Sequence, residues 1–117
     1  MFVATVIASA LLALVALASG FPKIVGTARM VDEARHLGVP RIGYTVIGSL
    51  EVAAAAGVLA GLAVAPLGIA AAAGLAVMMA GAVLSHARVG DRFAARAPAL
   101  VVGIASGVTL VLRVLTT

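Results

Sequence analysis

Four stretches of this chain stay apolar over nearly the whole length a helix needs to cross a bilayer, and the polar residues are swept into the gaps between them. A hydrocarbon core about 30 Å thick takes roughly 20 helical residues. Residues 2–21 carry no charge, 42–64 carry Glu51 alone, and 67–87 carry none but reach His86 at their end. The fourth stretch starts at Ala99 and meets Arg113 early, so a span over about 99–115 requires that side chain to snorkel outward. The pattern predicts one all-α transmembrane domain over residues 1–117, a four-helix antiparallel bundle. The first stretch lacks the basic n-region of a cleaved signal, since no Lys or Arg occurs in residues 1–5, and is expected to be retained. A two-residue connection at 65–66 forces the second and third spans into a hairpin.

The first loop is itself patterned. Over residues 24–37, Ile24, Ala28, Val31 and Ala34 recur at helical spacing, and Arg29, Asp32, Glu33, Arg35 and His36 take the other face. That reads as a short amphipathic helix at the interface between helices 1 and 2, with Arg29–Glu33 and Asp32–His36 pairs along it and Gly38 and Pro40 as its stop. A solvated connector is the alternative.

Composition sharpens this picture. Of 117 residues, 64% are hydrophobic and 10% charged, so lipid and not water is the solvent. The net charge of +4 would suggest nucleic acid in a soluble protein, but here the basic residues flank apolar runs, and nucleic acid is excluded. Seven of the eight, Lys23, Arg29, Arg35, Arg41, Arg88, Arg92 and Arg96, fall on the side shared by the first and third loops, leaving Arg113 opposite. The positive-inside rule then puts the charged loops in the cytoplasm and both termini outside, for a multi-pass protein of the cell (inner) membrane. The chain has no cysteine, so thiol chemistry and Cys-held metals are out and redox work would need a bound cofactor and a partner. No zinc-ligand spacing, phosphate loop or catalytic-serine motif occurs, and no metal or covalent cofactor is expected.

One residue breaks the pattern expensively. Glu51 lies nine residues past Ile42, about 13 Å below the cytoplasmic surface at 1.5 Å per residue. A carboxyl at that depth costs about 2.5–3.5 kcal/mol on insertion scales, so it marks a function or hydrogen-bonds a neighbouring helix in protonated form. Tyr44 and Gly48 share its stripe, and the missing side chain at Gly48 leaves either a slot for a quinone ring, lipid headgroup or water, or a place for another helix to pack. If the spans pack in chain order, Lys23, Tyr44, Glu51 and His86 line one polar cleft with Arg88 at its rim and Met79 alongside; otherwise Lys23 snorkels to phosphates and His86 faces water. Gly57 and Gly61, and Gly103 and Gly107, have the spacing that brings helices close, within one bundle or between two copies.

The run Ser19-Gly20 followed by Lys23, the segment Leu37-Gly38-Val39-Pro40, the segment Ile47-Gly48-Ser49-Leu50-Glu51, and Met79 with Ala82, His86 and Arg88 together resemble the DoxX-like family of small four-helix membrane proteins, from Phe2 to about Leu112. The family takes its name from a subunit of an archaeal thiosulfate:quinone oxidoreductase, mycobacterial relatives belong to oxidoreductase complexes that handle redox stress, and eukaryotic ones assist receptor assembly. The resemblance implies that Lys23, Glu51 and His86 are the polar site residues. It implies a membrane subunit of a redox complex, binding quinone or lipid headgroup and receiving electrons from a soluble or membrane partner, and not a stand-alone enzyme. A scaffold that docks membrane proteins or a second copy through its glycine faces is the alternative; a transporter is a third reading, needing at least a dimer.

Overall fold

A computed structural model describes the backbone of all 117 residues and the side chains of all but residues 93–95. The described residues form helices α1 (Phe2–Val25), α2 (Ala28–Leu37), α3 (Arg41–Ala60), α4 (Ala65–Arg88) and α5 (Phe93–Leu115). Four of these, all but α2, are long and apolar enough to cross a membrane. α1 packs against α3 and α5, and α4 against the same two, so the spans close a ring in chain order. Both termini lie at one end, where the Thr5 hydroxyl donates to the Leu112 carbonyl at 3.4 Å and meets Thr116 Oγ1 at 3.3 Å.

The helix ends differ from the hydropathy pattern because hydrogen bonding, not polarity, stops a helix. α1 runs through Pro22, whose missing N–H forfeits a single helical bond, and ends at Gly26, where φ is 76° and the amide donates to the Pro22 carbonyl at 2.9 Å. Lys23 therefore rides on the helix. Thr27 caps α2, its hydroxyl accepting from the Met30 amide at 3.3 Å, and Gly38 at φ 74° ends it. The α3–α4 turn lies at residues 61–64, not 65–66, since Pro66 suits the first turn of α4. α5 starts six residues before Ala99, taking Arg96 into the helix.

The core is built from small and medium side chains: Leu12, Ala13 and Ala16 of α1, Ala55 and Val58 of α3, Ala72, Leu75 and Met79 of α4, and Val102 of α5. Around it the surface is apolar, with Leu14, Val77 and Leu84 all 63% or more exposed, the inverse of a water-soluble bundle. With no hydrophobic force between helices in lipid, small residues let backbones touch. A Cβ on Gly61 would overlap the Gly68 backbone, one on Gly57 would come to 2.9 Å of Ala71 Cβ and one on Gly103 to 3.3 Å of Met79 Cβ, whereas Gly107 faces open space. Three of the four expected packing glycines are thus occupied within the chain.

Two expectations change. Arg113 does not snorkel outward: it is 7% exposed, and its Nε donates to the Gly61 carbonyl at 2.9 Å, placing a cation on the negative end of α3. The α2 amphipathic helix forms, but it docks instead of lying free. Ala34 and Leu37, with Met30 beside them, pack on Tyr44 and Ile47 of α3, a face rotated from the one expected, and Ala28 is exposed. Among the described residues, Glu33 and His36 pair across the bundle, with His86 and Asp91, and not along α2 with Arg29 and Asp32.

Candidate functional site

At the end of the bundle opposite the termini, α1, α3, α4 and α5 splay around a cleft of about 1290 Å³ that α2 covers. Its inner polar feature is Glu51, fully buried. Lys23 Nζ donates to Glu51 Oε1 at 3.0 Å and to Oε2 at 3.1 Å, and also to Ser19 Oγ at 3.1 Å; the Ser19 hydroxyl in turn donates to Oε1 at 3.2 Å. A buried carboxylate is tolerable when a cation and hydrogen bonds replace its water, and these three side chains supply both. The ammonium also sits 5.6 Å from the centre of the Tyr44 ring, within cation–π range.

Backbone proximity makes this grouping possible. α1 and α3 cross at Gly20 and Gly48, where a Cβ on Gly48 would stand 2.5 Å from the Gly20 carbonyl oxygen and 2.8 Å from Lys23 Cβ. Two glycines at the crossing bring Ser19 and Lys23, one turn apart on α1, within reach of a carboxylate one turn along α3. The gap at Gly48 is therefore filled by α1 and is not a ligand slot.

A second polar cluster lies across the mouth. His86 Nδ1 meets Asp91 Oδ2 at 2.6 Å, and its Nε2 faces Glu33 Oε1 at 3.3 Å; His36 Nε2 meets Asp91 Oδ1 at 2.5 Å. The bonds from His36 and then His86 hold the Asp91 carboxyl below its ordinary range. The Glu33 carboxylate also lies beside the Tyr44 phenol, linking the outer cluster to the inner one. Each His86 nitrogen faces a different carboxylate, and among the described residues no three His, Asp or Glu side chains gather as metal ligands do.

A model of the DoxX-like family matches residues 7–108. The chain belongs to the DoxX-like family. Searches of curated proteins and of solved structures gave no match. The matched span of this DoxX-like protein holds the inner triad and the outer cluster together.

Of the residues that the sequence singles out, Lys23, Tyr44, Glu51, His86 and Met79 line the cleft; Arg88 is exposed and outside its wall, and Gly48 lies behind the wall. His86 does not touch Glu51 but belongs to the outer cluster. Sequence reasoning misses Ser19, Glu33, His36, Asp91 and Arg29, all in the wall. Ser19 was signalled by its four-residue spacing from Lys23. Asp91 carried no signal, being a lone acid in a basic loop.

Proposed function

We propose that this DoxX-like protein is a quinone-binding membrane subunit of an oxidoreductase complex in the cell (inner) membrane, with its charged loops in the cytoplasm. The observation that carries this reading is a fully buried carboxylate, already neutralised by Lys23, at the base of a cleft whose deeper walls are Val15, Met78, Met79 and Val102. A pre-paired cation and anion favour a neutral head group that accepts from Lys23 and, once reduced, donates to Glu51. A phosphate headgroup would have to displace Glu51 from Lys23, which weighs against a lipid ligand.

Lys23 donates to a quinone carbonyl and passes that oxygen a proton as electrons arrive from the partner, while Glu51 and Ser19 hold the ammonium in place. Glu33, His86 and Asp91 resupply the proton from the cytoplasmic side, an exchange suited to histidine. The scaffold reading has less support, since of its four packing glycines Gly57, Gly61 and Gly103 are occupied inside the chain and only Gly107 faces open space.

Tyr44 lines the cleft and is the sole tyrosine of a chain without tryptophan, so its fluorescence reports on the site directly. Titrating the protein in phosphatidylcholine vesicles with decylubiquinone should give saturable quenching, and Glu51→Gln should weaken it about tenfold or more, the value of one charge-assisted bond. Unsaturable quenching, or the same curve for both proteins, would remove the quinone site.

A further inference from the structure

The cleft has two openings of different character. Towards the polar end it is crossed by α2, whose Met30 and Leu37 line it from above and whose Glu33 and His36 are fastened to His86 and Asp91 on the far side. Towards the bilayer its wall includes side chains that are themselves on the outer surface. Ala18 of α1 and Pro98 and Val101 of α5 line the cleft and are exposed, Val101 by 60%. At 1.5 Å per residue, Ala18 lies about 7.5 Å deeper than Lys23, and Val101 about 12 Å below the start of α5. Both are at hydrocarbon depth, where an exposed side chain faces lipid. α1 and α5 are tied together at the opposite end of the bundle, through Thr5 with Leu112 and Thr116.

From this arrangement we infer that the ligand enters sideways from the bilayer, between α1 and α5, and that it is a long-tailed amphiphile and not a water-borne molecule. The inference rests on the quinone reading and adds the route and the tail. A head group alone fills a small part of about 1290 Å³, beyond the roughly 300–1,000 Å³ of pockets that hold whole drug-sized ligands. The surplus space runs along Val15, Met78, Met79 and Val102 towards the lip. A tail lying there leaves through the gap without crossing the polar strap, while the head reaches Lys23 and Glu51. The strap keeps bulk water from the buried pair, and the lip admits what is already dissolved in lipid.

The test compares entry rates by stopped-flow quenching of Tyr44 in phosphatidylcholine vesicles, using decylubiquinone and its tail-less benzoquinone head as probes. Narrowing the lip with Ala18→Phe or Val101→Phe, neither of which adds a competing fluorophore, should slow decylubiquinone relative to the tail-less probe by about tenfold, as steps that need a conformational opening do. Val101→Ala, which widens the lip and carries little folding risk, should accelerate it. Loosening the strap with His36→Ala should accelerate the tail-less probe alone. If wild type binds decylubiquinone but none of the three lip substitutions changes its rate, lateral entry is wrong while the quinone site stands. If wild type is quenched saturably by neither probe, the quinone reading itself fails and this inference with it.

Discussion

Replacing Gly48 by alanine adds a single carbon at the point where α1 and α3 are closest. That Cβ would stand 2.5 Å from the Gly20 carbonyl oxygen, about 0.9 Å short of the 3.4 Å at which ordinary contact begins. The opposing atom is backbone, so no rotamer change relieves the clash and the helices must part. Moving α1 outward by that distance takes Ser19 and Lys23, now 3.0–3.2 Å from the carboxylate, to about 4 Å, beyond hydrogen-bond reach. Overpacking costs about 1–3 kcal/mol, and losing a bond to a charged group a further 1.5–3 or so, so Gly48→Ala should destabilise the bundle by about 3–5 kcal/mol. Gly74 is the control: it is helical, with nothing within 4 Å of an added Cβ, and alanine there should be neutral or stabilising by up to about 1 kcal/mol. Thermal melts in detergent should separate the two variants by about 10 °C or more. Equal melting temperatures for Gly48→Ala and Gly74→Ala would refute the close crossing and the reason given for the site's assembly.

Further substitutions probe other parts of the account. Lys23→Met leaves Glu51 buried without its cation and should cost about 3–5 kcal/mol, while Lys23→Met with Glu51→Gln should recover much of that; a double variant as unstable as the sum of the singles would contradict pairing. Arg113→Leu strips the Gly61 carbonyl of its charged donor and should cost about 1–3 kcal/mol in the same melts, whereas an outward-snorkelling side chain would tolerate the change. Asp91 is held below its ordinary range by His36 and His86. A depressed carboxylate contributes stability that is present above its unfolded value of about 3.9 and is lost as pH falls through the lower native value. Hydrogen exchange of the α2 amides should therefore stay slow down to about pH 4 and quicken below it, and Asp91→Asn should quicken it at neutral pH; α2 protection indifferent to Asp91 would break the strap. A reporter at the C-terminus that is active only outside the cytoplasm should be active, and one active only inside silent; the reverse would invert the topology.

The four spans, their antiparallel order and the interfacial helix were legible in the sequence because lipid imposes a single length and a single polarity on every crossing. Glu51 was legible for the same reason, since a charge inside an apolar span stands out; Lys23, just past the first apolar run, was open to snorkelling as well as to the site. What escaped was everything decided by backbone geometry. The role of Gly48 depends on Gly20 lying opposite it, and no spacing along α3 reveals a partner on α1. In the sequence Arg113 has the signature of an outward-reaching cation, because hydropathy carries no trace of the α3 carbonyls that end beside it. Asp91 and His86 lie far along the chain from Glu33 and His36, and meet them only because α2 folds back over the α4–α5 loop. Local spacing favoured pairs along α2, and tertiary placement overrode it.

The most direct measurement is to purify the protein gently from its native membrane, extract it with organic solvent and identify what leaves by mass spectrometry, beside a Glu51→Gln control. A quinone recovered in stoichiometric amount from wild type and lost from the control is the result the buried Lys23–Glu51 site predicts. A stoichiometric lipid in its place, or no specific molecule from either protein, would contradict it.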